Sequence, residues 1–159
     1  VLPEEREALA AAWEVANAEL AERVKPAFGP PGSWRERMRR GLSAVLDFFA
    51  EDPVRARLYV AEVVFAGEGP RRDHRNAIDE LGAMIDAGRT EPGARELTRT
   101  LADGVAGGIW HCLRDYVVDD RAGELPGMLP DLMYMIVLPY LGTEAAVQEL
   151  RRPPSSHRP

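Results

Sequence analysis

The sequence predicts an all-α protein, a helical bundle of about six to seven helices, and three observations carry that expectation. Apolar residues recur at three- and four-residue spacing through most of the chain. Pro and Gly clusters interrupt that periodicity at helix-sized intervals, and no alternating β-branched run is long enough for a strand. With 159 residues and 45% hydrophobic content, the chain matches the roughly 100–200 residues of one domain and can build a core.

The first helix, about Pro3 to Val24, aligns Leu9, Trp13, Ala16, Leu20 and Val24, and Pro26 with Gly29-Pro30-Pro31-Gly32 ends it. Ser33 is the expected N-cap of a second helix, because its hydroxyl can accept from a free amide of the first turn. In that helix Trp34, Met38, Leu42, Val45, Leu46, Phe48 and Phe49 share one broad arc, opposite Arg35, Arg39 and Asp47. Asp52-Pro53 reads as cap and first-turn proline of a third helix with Val54, Leu58, Ala61 and Phe65 in one stripe, stopped by Gly67 and Gly69-Pro70. A fourth, about Arg72 to Ala87, is shorter and more polar; Ile78, Leu81 and Ile85 line one side beside Met84, and Gly88 is the expected left-handed C-terminal cap.

The fifth helix, about Ala94 to Val118, has two apolar faces. One carries Leu97, Leu101, Val105, Gly108, Cys112 and Tyr116, the other Ala102, Ala106, Trp110, Leu113 and Val117. A helix with two apolar faces needs two partners. The sixth, about Met128 to Leu141, is apolar nearly all round, with Asp131 its only charge. Together they predict a homodimer in which two helices of each copy form an intermolecular four-helix bundle. Gly142-Thr143 then ends one helix and caps a short last one through about Leu150. Residues 1–150 are expected as one domain, and 151–159, rich in Pro, Ser and Arg, as a flexible tail.

Composition excludes several classes. A net charge of -6 and a pI near 5.2 argue against this segment holding a nucleic-acid backbone by itself, since that affinity comes largely from Lys and Arg displacing counterions. Cys112 is the single cysteine, so no intrachain disulfide or cysteine-based zinc cage can form, which fits a reducing cytoplasm, and the thiol is expected as a small buried apolar group. The uncharged run Leu132 to Leu141 falls short of the roughly 20 residues of a membrane span, so a buried helix and no membrane partner are expected. The start at Val1, without Met or leader, suggests a piece of a longer protein. No Glu-x-x-His pair is present, and His74, His111, His157 and Cys112 lack a like partner three or four residues away, so no metal or cofactor is expected. Neither a G-x-S-x-G elbow nor a phosphate-binding glycine loop is found, and catalysis is not expected.

The candidate ligand contacts are Trp34, Met38, Phe48, Phe49, Tyr59, Phe65 and Trp110, which either line a cavity for an apolar molecule or form ordinary core. Glu62, between Tyr59 and Phe65, either anchors a polar or cationic group inside an apolar pocket or pairs with an arginine at the helix edge. His111 is a ligand contact or a polar edge residue. Arg71-Arg72 and Arg37, Arg39 and Arg40 read as solvated faces. Gly104, Gly107 and Gly108 cost up to ~1 kcal/mol each inside a helix; they imply either room for a bound molecule or, the favoured reading, close helix crossing at an interface.

Two stretches resemble a known family. Val45-Leu-Asp-Phe-Phe-Ala-Glu-Asp-Pro-Val-Arg-Ala-Arg-Leu-Tyr-Val-Ala-Glu-Val-Val-Phe-Ala-Gly67 is similar to the middle of the C-terminal domains of TetR-type transcriptional regulators. Leu132-Met-Tyr-Met-Ile-Val-Leu-Pro-Tyr-Leu-Gly142, followed by Thr-Glu-Ala-Ala, resembles that family's closing apolar helix. The resemblance covers about Glu4 to Leu150 and lacks the N-terminal helix-turn-helix. It implies a repressor fragment that dimerises through its last two long helices, here Gly104, Val105, Gly108, Met128, Leu132, Met135 and Ile136. It also implies a small, lipophilic effector between the second to fifth helices, with operator DNA bound only by a headpiece outside this chain and the first helix as connector to it. A structural dimerisation module without a ligand, and an uncharacterised helical enzyme, are the alternatives.

Overall fold

In the computed structural model, which describes residues 1–154, six α-helices are joined by short connections: α1 Pro3–Phe28, α2 Trp34–Glu51, α3 Pro53–Val60, α4 Glu68–Asp86, α5 Arg99–Val118 and α6 Leu129–Arg151. Short 3-10 segments, Glu62–Phe65, Ala87–Thr90 and Ala122–Met128, precede α4, follow it, and lead into α6. The described residues contain no strand, and the expected all-α bundle is what forms.

The helix ends follow the sequence signals. Ser33 Oγ accepts from the amide of Glu36 at 3.3 Å while the Glu36 carboxylate accepts from the Ser33 amide at 2.9 Å, closing a capping box. Asp52 accepts from the amide of Arg55 at 3.0 Å and Pro53 opens α3. Gly142 takes φ +82 and interrupts α6, so the expected break between a long apolar arm and a short last helix is present. Several expectations at the helix ends differ. α1 runs on to Phe28, with Pro26 inside its last turn. Gly67, at φ +99, makes the turn before α4, and Pro70 sits in the first turn of that helix, where an absent amide costs nothing. Residues 94–98 are not helical; this stretch lies along α6, the Arg95 amide donating to the Tyr140 carbonyl at 3.0 Å. Gly88 is not a left-handed cap but a space-saver: a Cβ there would come 2.5 Å from the Trp34 indole.

Helix α2 is the central element, touching α1, α3, α6 and the 122–128 turn. Its Met38, Leu42, Leu46, Phe48 and Phe49 are buried as the arc predicts. In α3 the buried face is Ala56, Tyr59 and Val60, opposite the expected stripe: Val54 and Phe65 face solvent. The larger aromatic decides that orientation, because Tyr59 stacks on Trp13 at 5.0 Å and packs against Phe49 and Trp110, burying far more apolar area than Val54 could.

Helix α6 joins the core through Leu129, Leu132, Met133, Ile136, Val137 and Tyr140. The stretch Ala122–Arg151 is long and apolar enough by composition to cross a membrane, yet these six side chains are already packed inside the protein. Beyond Gly142, Glu149 is 0% exposed and receives Arg35 at 2.9 Å and Arg39 at 2.6 Å. Arg39 also donates to the carbonyls of Arg152 (2.9 Å) and Pro153 (3.2 Å). Arg39 is therefore buried rather than on a solvated face, and residues 151–153 are held by it rather than frayed. The rest of the expected tail, 155–159, lies outside the described residues.

Candidate functional site

Helices α1 and α4 face each other across a cleft of about 610 Å³. On α1 the positions at three- and four-residue spacing from Asn17 through Leu20, Ala21 and Val24 to Phe28 form one wall. On α4 the line Asp73, Ala77, Glu80 and Met84 forms the other. Leu42 and Val45 from α2, Tyr59 from α3, and Ile109, Trp110 and Leu113 from α5 make the floor. A volume of this size lies in the range of small-molecule sites, and most of its lining is apolar.

Polar groups gather where Tyr59 meets α1 and α4. The Tyr59 hydroxyl donates to Asn17 Oδ1 at 2.9 Å, and the ring belongs to an aromatic group with Trp13, Phe49, Trp110 and His74. The His74 imidazole meets Trp110 edge-on at 4.9 Å. Burial, helped by the charge of Arg75, pushes the His74 imidazole down to about 4, so it is neutral at pH 7. Burial first, then the carboxylates of Glu80 and Asp73, holds the Tyr59 phenol well above its ordinary range. His74 Nε2 and Trp110 Nε1 are both buried without a hydrogen-bond partner within the chain. Buried polar atoms are rarely left unpaired, and of these two residues Trp110 is the one that lines the cleft.

Of the candidate contacts, Tyr59 and Trp110 line the cleft. Trp34, Met38, Phe48 and Phe49 do not; they are core side chains. The Trp34 N–H is spent on the Met84 carbonyl at 2.9 Å, and the Arg55 guanidinium covers the Phe48 ring at 3.7 Å. Glu62 is a surface residue with its side chain 40% exposed and Arg57 at 3.9 Å, the edge alternative rather than a pocket anchor. Phe65 is 54% exposed, on the side with Val54 that faces solvent once Tyr59 turns inward. His111 lies on the outer face of α5, its side chain 72% exposed and 3.3 Å from Asp115.

Sequence reasoning missed Asn17, Asp73 and Glu80 as site residues. Their signal was present: α4 carries a second line, Asp73-Ala77-Glu80-Met84, beside its core stripe, and such a mixed line suits a half-open cleft.

The positions expected at a subunit interface divide. Met128, Leu132 and Ile136 are buried within this chain, where α2 and the 122–128 turn cover them, so they have no surface to give a partner. Gly104, Val105, Gly108 and Met135 remain on the outside, with Leu101, Cys112, Tyr134 and Leu138 beside them, exposed or half-buried. Nothing lies within 4 Å of a Cβ added at Gly104 or Gly107, and only the Met135 methyl, at 3.7 Å, approaches one at Gly108. The chain's own fold therefore does not require glycine there.

The chain was compared with known proteins. It matches no family model, no curated protein and no solved structure.

Proposed function

We propose that this chain is the ligand-binding and dimerisation domain of a TetR-type transcriptional repressor acting in the cytoplasm. In this reading a small lipophilic effector in the α1–α4 cleft alters operator binding by a helix-turn-helix headpiece. The cleft itself carries the reading. A purely structural module has no reason to keep about 610 Å³ of apolar-walled space at a cost in dispersion and burial. Its wall also includes about three turns of α1, from Asn17 to Phe28, so an occupant bears directly on the helix assigned as connector.

The mechanism is a population shift. An effector that prefers one placement of α1 relative to α4 favours that conformation by its difference in affinity and no more. Two recognition helices must sit about 34 Å apart to enter successive major grooves, so a small pivot of α1 is enough to mis-space them. The second copy meets the outer face of α5 and α6, where the glycines allow close approach.

The test is a fluorescence titration with N-phenyl-1-naphthylamine, a neutral apolar dye that brightens on leaving water. One saturable site per chain, weakened at least tenfold by filling the cleft with Ala77→Trp, is the expected result. Absence of saturable binding would leave only the structural module. The switching step fails separately if the intact regulator binds operator DNA equally with and without an effector shown to occupy the cleft.

A further inference from the structure

Resting on the reading of the cleft as a ligand site, we infer that its occupant is a lipophilic cation, seated with its apolar body between α1 and α4 and its positive charge beside Trp110, facing Asp73 and Glu80. The inventory of charge at the cleft carries this. Among its lining residues Asp73 and Glu80 are acidic and Lys25 alone is basic, and Lys25 is on the exposed side of α1, about two turns from Asn17 toward the Phe28 end. Among the described residues no cation sits within ion-pair distance of Glu80. Asp73 has only Arg72, at 3.5 Å, with both side chains well exposed, a pairing worth little.

The interior matches the rim. Trp110 brings a half-buried aromatic ring to the cleft wall, and aromatic rings attract cations and repel anions. The imidazole of His74, held neutral, brings no positive charge to the corner and leaves a ring nitrogen without a partner. The Tyr59 hydroxyl has already given its proton to Asn17 and keeps a free lone pair. An anionic amphiphile would meet two carboxylates and no arginine among the lining residues; a cationic one finds complementary charge there. The carboxylate role that the sequence suggested for Glu62 falls instead to Asp73 and Glu80, one helix further on.

Tetraphenylphosphonium and tetraphenylborate have nearly the same size and apolar surface but opposite charge, so comparing them isolates the sign. Calorimetric titration of each into the chain is expected to show the phosphonium binding at least tenfold more tightly, with the preference shrinking in about 0.5 M NaCl. In the double variant Asp73→Asn, Glu80→Gln the preference should fall to within about twofold, with the far-ultraviolet circular dichroism and urea midpoint of the variant showing that it is folded. If the neutral dye binds but the phosphonium holds no advantage over the borate, or the double variant keeps that advantage, the charge inference is overturned and the cleft reading stands. If neither dye nor ions bind saturably, both fall.

Discussion

His74 carries the clearest single-residue consequence of the fold. Its ring sits against Tyr59 and Trp110 with Nε2 buried, so the folded protein disfavours the imidazolium and the imidazole titrates at about 4 instead of its ordinary 6.5. Between those two values the unfolded chain binds the proton more readily than the folded one. The stability this neutral His contributes is therefore complete above about pH 6.5 and is lost as the pH falls toward about 4. Urea unfolding at several pH values should show this loss, and His74→Gln should flatten the slope between about pH 6.5 and 4.5. An unchanged slope in the variant would mean that other groups set it.

At the scale of elements, the last arm of α6 is fastened to α2 by charge rather than by apolar packing alone. Glu149 is 0% exposed and paired with Arg35 and Arg39, and Arg39 reaches on to two carbonyls of the chain end. Removing one partner of such a buried pair leaves a charge uncompensated, so Glu149→Ala is expected to cost roughly 3–5 kcal/mol in denaturant midpoint analysis. A triple change of Arg35, Arg39 and Glu149 to Met should cost much less. The arm's existence was legible, because Gly142-Thr143 is a stop followed by a cap, but its fastening was not: nothing in Arg37, Arg39 and Arg40 distinguishes the buried member from its neighbours until Glu149 is brought beside it. The same limit explains α3. Periodicity finds a stripe of Val54, Leu58 and Ala61, whereas which face turns inward depends on where Trp13, Phe49 and Trp110 wait for Tyr59. The cleft was half legible, through Tyr59 and Trp110, since an apolar stripe marks burial but cannot say whether the space beside it is filled.

For the whole molecule the open question of assembly lies on one face. α5 spends Ala102, Ala106, Ile109, Leu113 and Val117 on its own core and keeps Leu101, Gly104, Val105, Gly108 and Cys112 outward. Light scattering at micromolar concentration is expected to give about twice the 17.6 kDa of one chain. Gly104→Ala sharpens the test, because its two effects oppose. An alanine there meets nothing within the chain and should add up to about 1 kcal/mol of helix stability, while the same methyl group should weaken association by keeping the two α5 helices apart. A variant more stable as a monomer and less dimeric supports this face as the interface; one with unchanged association places any interface elsewhere.

The three tryptophans of the chain occupy three different optical environments. Trp13 and Trp34 are sealed in the core with their indole N–H groups bonded to the Tyr59 and Met84 carbonyls. Trp110 alone borders the cleft, its N–H unspent. The protein thus carries its own fluorophore at the place where an effector would sit, against a background of two that a collisional quencher reaches poorly. Shielding of a single emitter from acrylamide becomes a label-free gauge of occupancy, readable in a mixture of candidate compounds before any of them is known by name.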